Sequence, residues 1–169
     1  MDRKMIVISD VDGCLTDGKF IYTSEGKIAK IFGAHDNDGI KLLRKNGIEV
    51  RFISADKRGF EITKKRIEDM KCEVDYVPEN LRASYLARYC ADERYPNGVV
   101  FFGDGLGDLA AAKNNESMTF LFFAPANARQ PVIEYADFVT ENIGGEGAFL
   151  DLAEEIIYNR LDGDVVDLY

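Results

Sequence analysis

The chain has few of the residues that build zinc sites and disulfide frameworks. Its 169 residues include one histidine, three cysteines, four prolines and no tryptophan. Cys14, Cys72 and Cys90 show no CxxC spacing and have no histidine close by in the sequence. Neither a zinc site nor a set of disulfides is therefore favoured, and we expect a protein of a reducing cytoplasm.

Long apolar runs are also missing. The longest, at 119–126, is interrupted by Pro125 and falls far short of the roughly 20 residues that a membrane-spanning helix needs. The apolar run near the N-terminus, at 5–8, is too short for the core of a secretory signal. We expect neither a membrane span nor export.

Acidic residues outnumber basic ones: the chain has 21 Lys and Arg and 30 Asp and Glu, which gives a formal net charge of −9. This balance opposes binding to nucleic acid, whose phosphates attract basic surfaces. An anionic partner would require a local reversal of the field, which a bound divalent cation provides. With 46% hydrophobic residues, the chain can form a sizeable core, and we expect 1–169 to be one domain.

Apolar, β-branched runs alternate with segments of helical period, which is typical of an α/β fold with a parallel sheet. Strands are predicted at 5–9, 49–54, 72–77, 99–103, 118–123 and 137–140, and helices at 38–45, 59–70, 79–91, 107–113 and 147–159. Segment 19–32 interrupts this order, because its apolar residues alternate on both sides of a Ser-Glu-Gly turn. We predict a Rossmann-like, doubly wound sheet with a β-hairpin inserted after the first strand.

Two carboxylates follow the first predicted strand, in Asp10-Val11-Asp12-Gly13. Residues i and i+2 of an extended chain project to the same side, so both carboxylates would lie at the carboxyl edge of the sheet, where open α/β folds bind ligands. Crowded carboxylates favour a bound cation or a shared proton, and oxygen ligands favour Mg²⁺. A polar turn after the strand is the simpler alternative. An EF-hand is excluded, because Leu15 occupies the position of its required glycine.

A second acidic cluster follows the strand at 99–103, with Asp104 and Asp108 set among three glycines. The three glycines make this segment similar to a nucleotide-binding glycine loop. A carboxylate between the glycines, however, repels phosphate unless a metal ion lies between them. Metal binding is therefore the better interpretation, although Asp108 could also cap the next helix. Ser54 ends another strand in the same way, and its hydroxyl could hold a phosphate oxygen.

Three strands thus end in Asp-x-Asp, Ser and Gly-Asp-x-x-x-Asp, in that order along the chain. In this series of motifs the chain resembles the haloacid dehalogenase superfamily of phosphohydrolases. The resemblance implies a Rossmann-like sheet and Mg²⁺ as cofactor. It implies that Asp10 is a nucleophile that forms a covalent aspartyl-phosphate. It also implies that Asp12 protonates the leaving alcohol and then activates water for the second step.

The same resemblance implies a set of binding residues. The Asp10 carboxylate, the Asp12 backbone carbonyl and Asp104 would ligate Mg²⁺, with Asp108 supporting them. Ser54, together with the adjacent Ala55, would hold the transferring phosphoryl group.

Further features resemble the small capless branch of this superfamily, which acts on octulosonate and nonulosonate phosphates. These features are the motif at 10–18, the hairpin at 19–32, the helix start at 38–40 and the Gly-Gly-Glu-Gly-Ala stretch at 144–148. The branch implies a phosphorylated sugar acid as substrate. It also implies a homotetramer in which the hairpin packs against a neighbouring subunit and helps to close its active site.

The chain lacks several basic residues that are common at motif positions in this branch. Ser54 is followed by Ala-Asp-Lys rather than by Gly-Arg, which places the acidic Asp56 near an anionic substrate. Asn80 occupies the position of the expected lysine, and Arg82 is the nearest cation that could replace it. Leu150 stands where an arginine is common, so octulosonate phosphate is not a secure substrate.

Two alternatives of other classes remain at this point. A catalytically weak interaction module could keep the fold only for assembly, although a scaffold would need none of the acidic motifs. A response-regulator receiver would carry its phosphate on the third strand, near Asp75.

The acidic tail at 160–169 is expected to fray, and solvent contact is the simplest interpretation of His35.

Overall fold

A computed structural model describes residues 5–160 of the chain, so most of the acidic tail lies outside the described residues. Six strands form a parallel sheet in the order β5-β4-β1-β6-β7-β8, and two form a separate antiparallel hairpin, β2-β3. The strands are β1 (Ile6–Asp10), β2 (Ile21–Thr23), β3 (Gly26–Ala29), β4 (Glu49–Ser54), β5 (Glu73–Tyr76), β6 (Val99–Phe102), β7 (Phe120–Ala124) and β8 (Phe138–Val139).

The α-helices connect the strands of the sheet and follow the last one. They are α1 (His35–Lys45), α2 (Phe60–Asp69), α3 (Arg82–Cys90), α4 (Leu106–Lys113), α5 (Gln130–Tyr135) and α6 (Ala148–Glu154). A 3₁₀ turn at Glu79–Leu81 precedes α3, and a π-helical segment at Glu155–Arg160 continues α6. None of the described helices is long and apolar enough to cross a membrane.

Apolar side chains cover both faces of the sheet, which explains why its central strands read as unbroken apolar runs. On one face, Phe52 and Phe102 pack with Phe149 of α6 and with residues of α1 and α2. On the other, Phe101 stacks on Phe122 against residues of α3, α4 and α5. The predicted doubly wound sheet is therefore confirmed.

The sheet has its topological switch point at β1. The chain first runs from β1 to β4 and β5 on one side, and then returns to β6, β7 and β8 on the other. In open α/β sheets, ligands bind in the crevice at the carboxyl ends of the strands that flank such a point. The fold thus places β1, β4 and β6 around one candidate site.

The hairpin is confirmed, but some helix boundaries differ from the prediction. Helix α1 begins at His35, three residues before the predicted start at 38. Helix α5 was not predicted, because six residues are too few to show a helical period. The helix predicted at 79–91 is divided into the 3₁₀ turn and α3, and this division moves Arg82 to the first position of α3.

Candidate active site

Strand register places the predicted site residues side by side. Asp10 is the last residue of β1 and pairs with Ile53 of β4, so Ser54 lies one step further along the neighbouring strand. On the other side, Ser9 pairs with Phe102 of β6, which sets Asp104 just beyond the carboxyl edge. The polar residues at the ends of three neighbouring strands, β4, β1 and β6, therefore lie close together.

Gly13 allows the loop after β1 to pass close to Asp104. Its backbone has φ of +90°, a left-handed conformation that glycine adopts without strain. A Cβ atom at this position would lie 2.1 Å from Oδ2 of Asp104. The glycine of the first motif is thus required by the carboxylate of the second.

Asp108 lies in the first turn of α4 and shapes the loop that carries Asp104. Its Oδ2 accepts hydrogen bonds from the backbone N–H groups of Asp104 and Gly105, both at 3.1 Å. Its Oδ1 accepts a hydrogen bond from Arg82. Asp108 therefore satisfies backbone donors at the start of α4, as a capping residue does, and also contributes a carboxylate to the site.

Oxygen atoms of Asp10, Asp104 and Asp108 lie within 4.8 Å of one another. Burial raises the pKa of Asp10, and the charges of Asp108 and Asp104 raise it further. Burial, followed by the charge of Asp108, raises the pKa of Asp104 to about 7. Three crowded carboxylates favour a bound cation, and hard oxygen donors are the ligands that Mg²⁺ prefers. The donor set therefore fits a magnesium ion.

Arg82 reaches this cluster from the start of α3. Its Nη1 and Nη2 atoms each lie 3.2 Å from one oxygen of Asp10, and Nη1 also contacts Asp108. The side chain is buried, with 4% of its surface exposed. Arg82 is therefore a buried cation in direct contact with two of the clustered carboxylates.

The Asp12 side chain is not one of the three clustered carboxylates, and it contacts Lys30. The Lys30 Nζ atom lies 2.7 Å from Oδ1 and 2.9 Å from Oδ2 of Asp12. Lys30 also lies 2.8 Å from Asp56, which in turn contacts Lys27 at 2.5 Å. Two lysines from the hairpin thus neutralise the acidic residue whose place near an anionic substrate was unexpected.

Ser54 is fully buried at the end of β4, and its hydroxyl accepts a hydrogen bond from the backbone N–H of Asp56 at 3.1 Å. Ala55, between them, is partly exposed. The turn that carries these residues is closed by the N–H of Gly59, which donates to Asp56 Oδ1 at 3.1 Å. Ser54 and Ala55 therefore lie on a fixed turn beside the end of β1.

Asn127 links two loops of the candidate site. Its Nδ2 donates to the carbonyl of Gly13 at 2.9 Å, while its Oδ1 accepts from the N–H of Gly144 at 2.7 Å. It thus joins the loop after β1 to the glycine-rich loop before α6. A single asparagine between two loops gives no periodic signal, so only the assembled fold reveals it.

Asp75, the phosphate acceptor in the receiver alternative, is not part of the carboxylate cluster. It lies on the edge strand β5, where it accepts hydrogen bonds from Arg51 at 2.9 Å and from the Tyr85 hydroxyl at 2.5 Å.

His35 is exposed at the first position of α1, as expected for a solvated side chain.

Comparisons with known proteins identify phosphatases that resemble the chain over most of its length. The chain is 31% identical over 172 residues to the 3-deoxy-D-manno-octulosonate 8-phosphate phosphatase KdsC of Haemophilus influenzae, covering 99% of this chain and 90% of the relative. The cobalt-bound structure of the Haemophilus influenzae phosphatase superposes with a TM-score of 0.73 at 29% identity, over 90% of this chain and 86% of that one.

A structure from Legionella pneumophila, described as a hydrolase of the haloacid dehalogenase superfamily, subfamily III A, gives a TM-score of 0.75 at 29% identity. That alignment covers 92% of this chain and 84% of the other. No family model matches the chain.

Proposed function

The chain belongs to the KdsC-like phosphatases of the haloacid dehalogenase superfamily, and we propose that it hydrolyses the phosphate ester of a small sugar acid through an aspartyl-phosphate on Asp10, with Mg²⁺ bound. The observation that carries this proposal is the convergence of Asp10, Asp104, Asp108 and Arg82 at the switch point of the sheet. The names of the relatives support a sugar-acid phosphate as substrate.

In the first step, a carboxylate oxygen of Asp10 attacks phosphorus and the bond from phosphorus to the sugar oxygen breaks. Asp12 gives its carboxyl proton to that oxygen, which leaves as an alcohol. In the second step, Asp12 takes a proton from water, whose oxygen attacks the phosphorus of the aspartyl-phosphate. Inorganic phosphate leaves and the Asp10 carboxylate is restored.

Other residues hold the reacting groups. Ser54 and the backbone near Ala55 would bind the phosphoryl oxygens. Arg82 restrains both oxygens of Asp10 and offsets the repulsion between this carboxylate and the incoming phosphate.

Asp10 and Asp104 would hold Mg²⁺, together with the backbone carbonyl of Asp12, and Asp108 would support them through its hydrogen bonds to the Asp104 loop and to Arg82. The ion, when bound, neutralises charge on the carboxylates and polarises the phosphoryl group. The mutual repulsion of these buried side chains supports this assignment.

The exposed apolar residues of the hairpin support a subunit interface in the homotetramer that the resemblance implies. Ile28 and Ile31 are 54% and 70% exposed on the hairpin, and Ile21 and Tyr22 are also exposed. Apolar residues gathered on one exposed segment are typical of a protein interface. We propose that the segment 19–32 packs on a neighbouring subunit.

The proposed function is tested by phosphate release from a panel of compounds, with and without Mg²⁺. The panel contains 3-deoxy-D-manno-octulosonate 8-phosphate, N-acetylneuraminate 9-phosphate, simple sugar phosphates and nucleotides. We expect selective turnover of one sugar-acid phosphate that is lost with EDTA and in Asp10→Asn. Turnover no higher than that of Asp10→Asn for every compound would contradict the proposal and favour the interaction module.

A further inference from the structure

The hairpin contributes a fully buried ammonium group to the active site of its own chain. Lys30 follows β3 directly, and none of its side-chain surface is exposed. Its Nζ lies 2.9 Å from Oδ2 of Asp12, 2.8 Å from Oδ2 of Asp56 and 2.8 Å from the hydroxyl of Thr63. An ammonium group has three N–H donors, and here each has an acceptor.

The three acceptors come from three different parts of the fold. Asp12 belongs to the loop after β1, Asp56 to the turn after β4, and Thr63 to the buried side of α2. A charge removed from water is costly unless it is paired and hydrogen-bonded, so these contacts define where the Lys30 side chain can lie. Lys30 therefore joins the hairpin, the α2 region and the loop of the first acidic motif at one point.

Neighbouring groups hold this arrangement in place. Asp56 is shared between Lys30 and Lys27, and the Lys27 Nζ lies 3.4 Å from the centre of the Phe20 ring. The same ring lies 5.5 Å from the Lys30 Nζ. Two ammonium groups and the carboxyl groups of Asp12 and Asp56 thus lie together beneath an aromatic side chain of the hairpin.

We propose that Lys30 is a positioning residue that acts through Asp12, and this rests on the proposed function of Asp12 as proton donor. By binding the Asp12 carboxyl, Lys30 orients it toward the oxygen that leaves with the sugar. The hairpin is then part of the catalytic machinery of its own subunit, because its position sets the position of the proton donor.

This role predicts a dependence on the leaving group. A sugar alcohol must receive a proton as its bond to phosphorus breaks, whereas nitrophenolate leaves readily without one. The alkyl substrate is whichever of octulosonate 8-phosphate and N-acetylneuraminate 9-phosphate the wild type hydrolyses with the higher kcat/KM. We expect Lys30→Met to lower kcat/KM for this substrate by about 100-fold. The value for p-nitrophenyl phosphate should stay near that of the wild type. A residue that only stabilises the fold would affect both substrates alike.

A double-mutant cycle identifies the residue through which Lys30 acts. In an Asp12→Asn background, Lys30→Met should cause no further loss of kcat/KM for the sugar-acid phosphate. An additive loss, or an equal loss on the alkyl and aryl phosphates, would overturn the inference. If the wild type shows no turnover that depends on Asp10, the proposed function itself has failed, which is a separate outcome.

Two further variants keep the test independent of folding. Lys19→Met removes a hairpin lysine whose side chain is 86% exposed, and it should leave both kinetic values unchanged. Thr63→Val removes one acceptor of Lys30 without changing the charge of the site. If Lys30→Met does not fold, Thr63→Val must show the same preference for loss on the alkyl phosphate, in a smaller amount, and equal values on both substrates would refute the role of Lys30.

Discussion

The guanidinium of Arg82 holds both carboxylate oxygens of Asp10, each at 3.2 Å from a different nitrogen. The same group also contacts Asp108, so one cation restrains two of the three clustered carboxylates. A paired contact of this kind fixes the direction of a carboxylate as well as its charge. The nucleophile proposed here is therefore oriented by a residue that the local sequence shows only as the nearest cation.

Replacement of Arg82 should impair phosphoryl transfer. We expect Arg82→Met to lower kcat by on the order of 100-fold or more, because a charged donor is removed from a site where negative charge concentrates. Arg82→Lys should retain part of the activity, since it keeps the charge but loses the paired contact. The matched control is Arg88→Met, which removes an exposed arginine from the same helix. Wild-type kcat in Arg82→Met would contradict this role.

The sequence predicts that Asp10 and Asp104 converge, because parallel strands place their carboxyl ends at one edge of the sheet. It also groups the Asp12 carboxylate with Asp10, whereas in the structure that carboxylate contacts Lys30 and is not one of the three clustered carboxylates. Strand β4 was predicted with its correct bounds, and Asp10 and Asp104 lie near each other as expected. The contacts of Lys30 could not be predicted, because the packing of a hairpin on the sheet leaves no local pattern. For the same reason Asp56 was unexpected near an anionic substrate, although Lys27 and Lys30 neutralise it.

Metal binding should stabilise the fold through Asp104. A cation that binds only the folded state at about 100 times its Kd adds roughly 2.7 kcal/mol to the free energy of unfolding. We expect Mg²⁺ to raise the Tm of the wild type, and EDTA to reverse the increase. Asp104→Asn should lose most of this increase, whereas Asp17→Asn, which changes a surface carboxylate paired with Lys19, should keep it. An unchanged increase in Asp104→Asn would place the metal elsewhere.

Acid should weaken the contact between the hairpin and the turn after β4. Burial alone would raise the pKa of Asp56, but hydrogen bonds from Lys27 and Lys30 outweigh it and lower the pKa from 3.8 to about 2. Because the pKa is lower in the folded state, Asp56 stabilises the fold above pH 3.8, and this contribution disappears as the pH falls from 3.8 to about 2.

The measurement is the free energy of unfolding in urea, from neutral pH down to a pH of about 2. Asp56→Asn should be less stable than the wild type at neutral pH, and the two should converge in acid. Glu61→Gln, which removes an exposed carboxylate from α2, is the matched control. A difference between Asp56→Asn and the wild type that stays constant with pH would show that the two lysines do not stabilise the Asp56 charge.

The exposed side of the hairpin should hold the oligomer together. Ile28 and Ile31 are exposed, whereas Lys27 and Lys30 of the same segment contact Asp56 of their own subunit. A charge placed within an apolar interface has no partner and opposes association. We expect Ile31→Asp to convert a tetramer into smaller species, measured as mass by light scattering during gel filtration.

Met118 supplies the control for this prediction, because it is an exposed apolar residue just before β7, outside the hairpin. Met118→Asp adds the same charge and should leave the tetramer intact. A wild-type protein that is monomeric at all concentrations would refute the tetramer, and dissociation by Met118→Asp alone would place the interface on another surface. If Ile31→Asp dissociates the protein but retains hydrolysis of p-nitrophenyl phosphate, the phosphoryl-transfer residues lie within one subunit, as the contacts of Lys30 and Arg82 require.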